Sequence, residues 1–258
     1  MESHSPSDIY HKQPRKGDEL NQPCKILAII PAFNEEKTIV QLAERIRHAV
    51  EGVDVLVVND HSTDQTEHLL RQQGINHLAL SVNLGIGGAV QSGFKYALAE
   101  GYDIALQVDG DGQHPPEQIP ALLQPLLSGE ADFVCGSRYL ENKQNVSSRS
   151  RRLGGGLLAA LIRLLTGQRV SDPTSGFRAY NHQALAVLGS IYPQDYPEPI
   201  SMIELIMHGF RLREVPVQMV ERQHGRSSIA GLDTLFYMIK VIFAILIARI
   251  RRTKHYAY

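Results

Sequence analysis

Short apolar runs recur along the first half of the chain, and between them apolar residues return every three to four positions. Ile26–Ile30 is wholly apolar and reads as a strand buried on both faces. Asn34 follows as a helix cap with Glu35 and Glu36 in the first turn, and Ile39, Leu42, Ala43, Ile46 and Val50 then share one helical face. Val53–Val58 predicts a second strand, and Ser62-Thr63-Asp64-Gln65 has the spacing of a capping box that opens a helix stopping near Gly74. Leu78–Val82 predicts a third strand, followed by a Gly-rich turn and a helix to Glu100. Ile104–Val108 and Phe133–Cys135 predict a fourth and a fifth. The helix between those two starts at prolines and carries Ile119, Leu122, Leu123 and Leu126.

Strands alternating with helices across short turns imply an α/β fold with a mostly parallel central sheet covered on both faces. Such sheets bind ligands beyond the carboxyl ends of their strands. The polar groups Asn34-Glu35, Asn59-Asp60, Asn83 and Asp109-Asp111 all fall at those ends, so the pattern predicts that they converge.

Composition narrows the classes. A chain of 258 residues suits one elaborated α/β domain, and a formal charge of -1 argues against a nucleic-acid partner held by bulk electrostatics. Basic residues cluster locally at Arg149, Arg151 and Arg152 and again at Arg249, Arg251, Arg252 and Lys254. Of the two cysteines, Cys135 sits in an apolar run and reads as a buried thiol, which fits a cytosolic compartment. Residues 1–23 carry charge, Pro and Ser without an apolar core, so they read as a disordered arm and not a signal peptide.

The most chemically informative segment is Leu106-Gln107-Val108-Asp109-Gly110-Asp111-Gly112-Gln113-His114. An apolar strand ending in two carboxylates one residue apart can hold a hard divalent cation, which takes one or two carboxylates and completes its shell with substrate phosphates. Taken alone, Asp-Gly-Asp fits a plain turn better than a metal site.

Read together, Ile30-Pro31-Ala32-Phe33-Asn34-Glu35, Val58-Asn59-Asp60-His61-Ser62-Thr63-Asp64, Asn83-Leu84-Gly85-Ile86-Gly87-Gly88-Ala89 and Asp109-Gly110-Asp111-Gly112-Gln113 resemble the nucleotide-sugar half of a family 2 glycosyltransferase with the GT-A fold. The resemblance extends through Gly136-Ser137-Arg138-Tyr139, Asp172-Pro173-Thr174-Ser175-Gly176-Phe177-Arg178 and Arg222-Gln223-His224-Gly225-Arg226-Ser227-Ser228 to the polyprenyl-phosphate sugar synthase branch. It implies a nucleotide-sugar donor contacted by Pro31, Phe33, Glu35, Asp60, Gly85, Gly87 and Asp109, with Asp60 accepting from the base imide. It implies Mg²⁺ or Mn²⁺ on Asp109, Asp111 and Gln113, with His114 as a neighbour. It also implies an acceptor phosphate held by Arg138, Arg152, Arg222 and Ser227, for which the forked guanidinium is suited. Catalytic roles fall to Asp111 and Arg138. Glu204 is the first carboxylate to test as a base, although a helix-surface glutamate fits it better, and an anionic phosphate acceptor needs orientation more than a base.

Three positions depart from the family pattern: Asn59 for a common acidic residue, Gly110 for alanine, and Gly156 for serine. The resemblance places the GT-A domain at residues 24–230, with residues 231–258 as an apolar and basic helical segment. Leu232 to Ile250 is apolar but interrupted by Asp233 and Lys240, and its unbroken part, Val241–Ala248, is shorter than the ~20 residues a membrane span needs. The segment reads as an interfacial helix at the inner face of the cell membrane, against lipid or a small integral-membrane partner, or else as a buried or dimer-forming helix. The functions left open are transfer of a hexose to a polyprenyl phosphate by inversion, transfer to a saccharide of a cell-surface glycan, and a catalytically silent nucleotide-binding subunit.

Overall fold

The structure is a computed structural model and describes residues 24–140 and 149–219, together with positions 240 and 243. The expected alternation is present. Strand β1 (Ile26–Ala32) leads through α1 (Ile39–Ala49) to β2 (Val53–Asn59), then α2 (Thr66–Gln72), β3 (His77–Ala79), α3 (Gly85–Ala99) and β4 (Ile104–Gln107). After α4 (Ile119–Leu127) and β5 (Phe133–Ser137) come α5 (Arg149–Thr166), β6 (Arg178–Asn181), α6 (His182–Ile191), α7 (Pro197–Met207) and β7 (Leu212–Pro216). Among the described residues these strands form one sheet in the order β3-β2-β1-β4-β6-β5-β7.

Successive side chains of β1 enter opposite layers. Leu27 and Ile29 pack with Val90, Phe94, Leu158, Leu185 and Met202, whereas Ala28 and Ile30 pack with Ile39, Leu42, Ile46, Leu122 and Leu123. A strand buried on both faces has to be continuously apolar, which is why β1 was legible. The four apolar positions assigned to α4 are all buried.

Strand β6 breaks the parallel pattern. It inserts antiparallel between β4 and β5, pairing Gln107 with Arg178 and Cys135 with Arg178. An antiparallel strand begins where its neighbours end, so residues 172–177 emerge on the same side of the sheet as the loop after β4.

Three local expectations are corrected. Asn34 does not cap α1: it sits in the left-handed region (φ 58°), and its Oδ1 accepts from the Thr63 and Asp64 N–H groups across the sheet end, while Thr38 precedes the helix. The capping box at Ser62–Gln65 does not form either. Its donors and acceptors go to the other loop: Glu36 N–H donates to Asp64 Oδ2 at 3.2 Å and Gln65 N–H to Glu36 Oε2 at 2.9 Å. The third strand ends at Ala79 instead of Val82, because Asp60 draws the following chain inward, its Oδ1 accepting from Leu84 N–H at 2.7 Å and its carbonyl from the Asn83 amide at 3.1 Å.

Candidate functional site

Parallel register builds the site. Ala32 lies opposite Asn59 at the ends of β1 and β2, and Ile29 opposite Gln107 at the end of β4, so Phe33, Asp60 and Asp109 leave the sheet side by side. They enclose a cleft of about 350 Å³ lined by Pro31, Ala32, Phe33, Glu35, Asp60, Ile86, Ala89, Asp109, Gly110 and Asp111. Six of the residues predicted from the sequence, Pro31, Phe33, Glu35, Asp60, Asp109 and Asp111, therefore face one space. The lining combines acidic and apolar side chains, with Phe33 48% exposed. Asp60 is buried, and its Oδ2 makes no hydrogen bond among the described residues.

The Asp109 carboxylate is held from behind. The Gln107 amide donates to its Oδ1 at 3.0 Å, and its own N–H donates to His114 Nδ1 at 3.1 Å. Because Nδ1 accepts, the ring proton of His114 lies on Nε2, 3.8 Å from Asp109 Oδ2, and the ring stacks on Phe177 at 4.9 Å. Gly176 closes the other side. A Cβ there would stand 2.7 Å from Asp109 Oδ2, so only glycine lets this loop approach the carboxylate so closely. Asp111 is fixed by the turn it belongs to, its Oδ1 accepting from Gln113 N–H at 3.0 Å.

Other predicted residues lie elsewhere. Gly85, Gly87 and Gly88 form the first turn of α3. A Cβ on Gly87 would meet the Pro193 and Gln194 carbonyl oxygens at 2.4 and 2.5 Å, so that glycine serves helix packing, while its neighbours Ile86 and Ala89 line the cleft. Gln113 meets Asp111 through its main chain and does not line the cleft. Glu204 is on α7 outside the cleft, its Oε2 3.9 Å from His208 Nδ1 one turn on.

Two nitrogens of Arg138 are committed to the protein. Its Nε and one terminal nitrogen donate to the two oxygens of Asp172 at 2.6 and 2.7 Å, and the same terminal nitrogen donates to Thr174 Oγ1 at 2.8 Å. Burial opposes the charge on Arg138, but the Asp172 carboxylate more than offsets it, and the pKa is raised. Arg152 lies in the first turn of α5, and its side chain is not described; Arg222 and Ser227 lie outside the described residues.

Sequence reasoning missed the frame around this pair. Glu214 on β7 accepts from the Ser171 and Asp172 N–H groups at 2.8 and 3.0 Å. Arg178, 1% exposed, donates to the Ser175, Pro173 and Glu198 carbonyls at 2.7, 2.9 and 2.6 Å. The loop 171–176 is thus clamped through its N–H groups by an anion and through its carbonyls by a cation. Glu198, at the start of α7, was also missed: burial pushes its carboxyl up and the charge of Asp109 adds to this, against Arg178. Its position between Pro197 and Pro199 at a helix start is the one sequence signal that could have drawn attention to it.

Known proteins share this arrangement. Residues 27–189 match the model of glycosyl transferase family 2. The undecaprenyl-phosphate mannosyltransferase of Micrococcus luteus is 34% identical over 80% of this chain and 88% of its own length. The polyprenol monophosphomannose synthase of Mycolicibacterium smegmatis is 32% identical over 84% of this chain and 85% of its own. Among solved structures, glucosyl-3-phosphoglycerate synthase from Mycobacterium tuberculosis in complex with Mn²⁺ and UDP-glucose superposes with a TM-score of 0.66 and 27% identity, covering 88% of this chain and 79% of that one. With the family model spanning more than half of the chain and the predicted carboxylates gathered in one cleft, the protein belongs to glycosyl transferase family 2 and is a glycosyltransferase of the polyprenyl-phosphate sugar synthase branch.

Proposed function

We propose that the protein transfers a hexose, with inversion, from a UDP- or GDP-sugar to a polyprenyl phosphate at the inner face of the cell membrane. The observation that carries this reading is the single cleft in which Asp60, Asp109 and Asp111 meet Phe33 and Pro31. An exposed aromatic with a buried proline in the same lining suits a nucleobase, the Asp60 oxygen that makes no hydrogen bond among the described residues suits an imide N–H, and the paired carboxylates suit a diphosphate bound through a cation.

The donor set fits Mg²⁺ or Mn²⁺. Asp109 and Asp111 offer hard oxygen ligands, with Gln113 next in the same turn. Among the described residues no group of three or more His, Cys, Asp or Glu could hold an ion unaided. Such a site suits a metal that completes its shell with substrate phosphates. When bound, the ion would neutralise charge on the departing nucleoside diphosphate. The relative in complex with Mn²⁺ and UDP-glucose supports this assignment.

The chain's own residues do the rest. Gln107 and His114 orient Asp109, and Gly176 lets the adjoining loop approach its carboxylate closely. Arg138 and Arg178 hold that loop, and the acceptor phosphate falls to the remaining Nη1 of Arg138, which makes no hydrogen bond among the described residues, with Arg152, Arg222 and Ser227. A phosphomonoester is already anionic near neutral pH, so attack on the anomeric carbon requires alignment and no dedicated base.

Incubating the purified protein with UDP-glucose, UDP-N-acetylglucosamine, GDP-mannose and a short polyprenyl phosphate, with Mg²⁺, Mn²⁺ or chelator, tests the reading. The expected product is a metal-dependent glycosyl phospholipid identified by mass. Transfer to a saccharide, or full activity in chelator, would overturn the acceptor or the metal assignment respectively.

A further inference from the structure

The two walls of the cleft come from separate parts of the chain. Residues 34–36 follow β1 and are bonded to the loop after β2: Asn34 Oδ1 accepts from Thr63 N–H at 2.8 Å, Glu35 N–H donates to Thr66 Oγ1 at 2.9 Å, and Glu36 N–H to Asp64 Oδ2 at 3.2 Å. This wall carries Pro31, Phe33, Glu35 and Asp60. The opposite wall is the turn Asp109-Gly110-Asp111 after β4. A nucleoside diphosphate held through a cation has to touch both walls at once, its base on the first and its phosphates on the second. The gap between them must therefore be held, and a glycine-centred turn is too free to hold it alone.

Thr38 supplies a tie. It immediately precedes α1, where a threonine hydroxyl ordinarily accepts from an N–H of its own helix. Among the described residues it makes no such bond, and it crosses 72 residues of chain to donate to the Gly110 carbonyl at 2.8 Å, at the centre of the turn. A hydroxyl has one proton to donate. Glu35 Oε2 at 3.2 Å and the Glu35 carbonyl at 3.4 Å are farther away, so the proton goes to Gly110. The turn is also drawn toward β1, since a Cβ on Gly110 would stand 2.9 Å from the Pro31 carbonyl oxygen. The missing side chain and the threonine bond act in the same sense.

We infer that Thr38 is a positioning residue that acts through the Gly110 carbonyl to set the gap between the base wall and the two carboxylates, and so couples nucleotide binding to metal binding. The inference rests on the donor and metal reading above. Coupling is reciprocal: a cation that tightens the nucleotide is itself tightened by the same factor. The tie raises that factor and leaves the affinity for nucleotide alone nearly unchanged.

Titration calorimetry of the full chain with UDP and with GDP, each in Mn²⁺ and in chelator, reads this factor without any acceptor. In the parent protein Mn²⁺ is expected to tighten the better nucleotide at least ~tenfold. Thr38→Val keeps the shape and removes the proton. It should cut the factor about fivefold, the fold-change of one net hydrogen bond, while affinity in chelator changes less than about twofold. Thr38→Ser should restore the factor, which packing of the methyl group would not do, and Thr38→Ala gives the same reading if the valine variant does not fold. An unchanged factor in the valine and alanine variants would overturn the inference, as would a serine variant no better than valine. If the valine effect vanishes in a Glu35→Gln background, the hydroxyl acts through Glu35 and the route through Gly110 is wrong. No tightening by Mn²⁺ in the parent would remove the inference together with the metal assignment, whereas tightening without transfer to polyprenyl phosphate would remove the acceptor reading alone.

Discussion

The cleft at the ends of β1, β2 and β4 and the loop between α5 and β6 both concentrate charge, but they treat it in opposite ways. Among the described residues, Asp60 and Asp109 in the cleft are steadied by neutral donors, namely Leu84 N–H and the Gln107 amide, which leaves their charge for a ligand, and Asp111 accepts from Gln113 N–H. In the loop, the charges answer one another: Asp172 pairs with Arg138, Glu214 takes main-chain N–H groups, and Arg178 takes carbonyls. The lesson is that charged residues of one motif can be either reagents or scaffold, and their partners decide which. The two regions touch where Gly176 meets Asp109, so the scaffold shapes the reagent.

The largest effect should come from breaking the scaffold. Asp172→Leu leaves Arg138 buried without a counter-charge, and urea unfolding should show a loss of about 3–5 kcal/mol, largely recovered in Asp172→Leu with Arg138→Met. Next comes the reagent side, where the comparison predicts lost activity with the fold intact. Asp109→Asn or Asp111→Asn should lower transfer by at least about a hundredfold with little change in Tm, and chelator should mimic them in the parent protein. Equal losses of stability and activity in these variants would erase the distinction between the two regions.

Gly176→Ala tests the junction. Its Cβ would start 2.7 Å from Asp109 Oδ2, so transfer should fall by about tenfold, below the hundredfold that a full ångström of misplacement can cost, and kcat should suffer more than donor KM. Glu204→Gln should change kcat/KM by no more than about twofold, because Glu204 lies outside the cleft and faces His208 on its own helix. Glu198→Gln should do more, because Glu198 interacts electrostatically with Asp109.

The smallest effect concerns acid stability at the far edge of the sheet. Burial raises the Asp132 carboxyl, but the guanidinium and N–H of Arg211 outweigh it and hold the pKa below its ordinary value. A depressed carboxyl contributes stability that is present above the unfolded value of 3.8 and lost as pH falls through the folded one. Asp132→Asn should therefore flatten stability slightly below pH 4 and leave its pH dependence above pH 5 unchanged. Arg211 is exposed, so salt should weaken the difference.

Which elements were legible follows from the range of the interactions that make them. The buried face of α1, the fully apolar β1 and the helix carrying Ile119, Leu122, Leu123 and Leu126 are written in periods of two to four residues. The caps were misread because Asn34, Glu36 and Asp64 Oδ2 reach groups about 28–30 residues away, and only Asp64 Oδ1 serves its own helix, accepting from Thr66 N–H at 3.0 Å. Glu204 was chosen over Glu198 because a one-dimensional pattern does not say which side of α7 meets the sheet ends.

The sequence by itself determined the α/β alternation, the carboxylates at strand ends and the family, since strand burial and loop chemistry are local properties that repeat along the chain. Only the tertiary structure decided that β6 runs antiparallel, that Arg138 answers Asp172 across 34 residues, and that Gly87 packs against Pro193 and Gln194. The physical reason is one of distance. A hydrogen bond or a steric limit between residues far apart in the chain depends on where the sheet carries each of them, and no local pattern contains that placement.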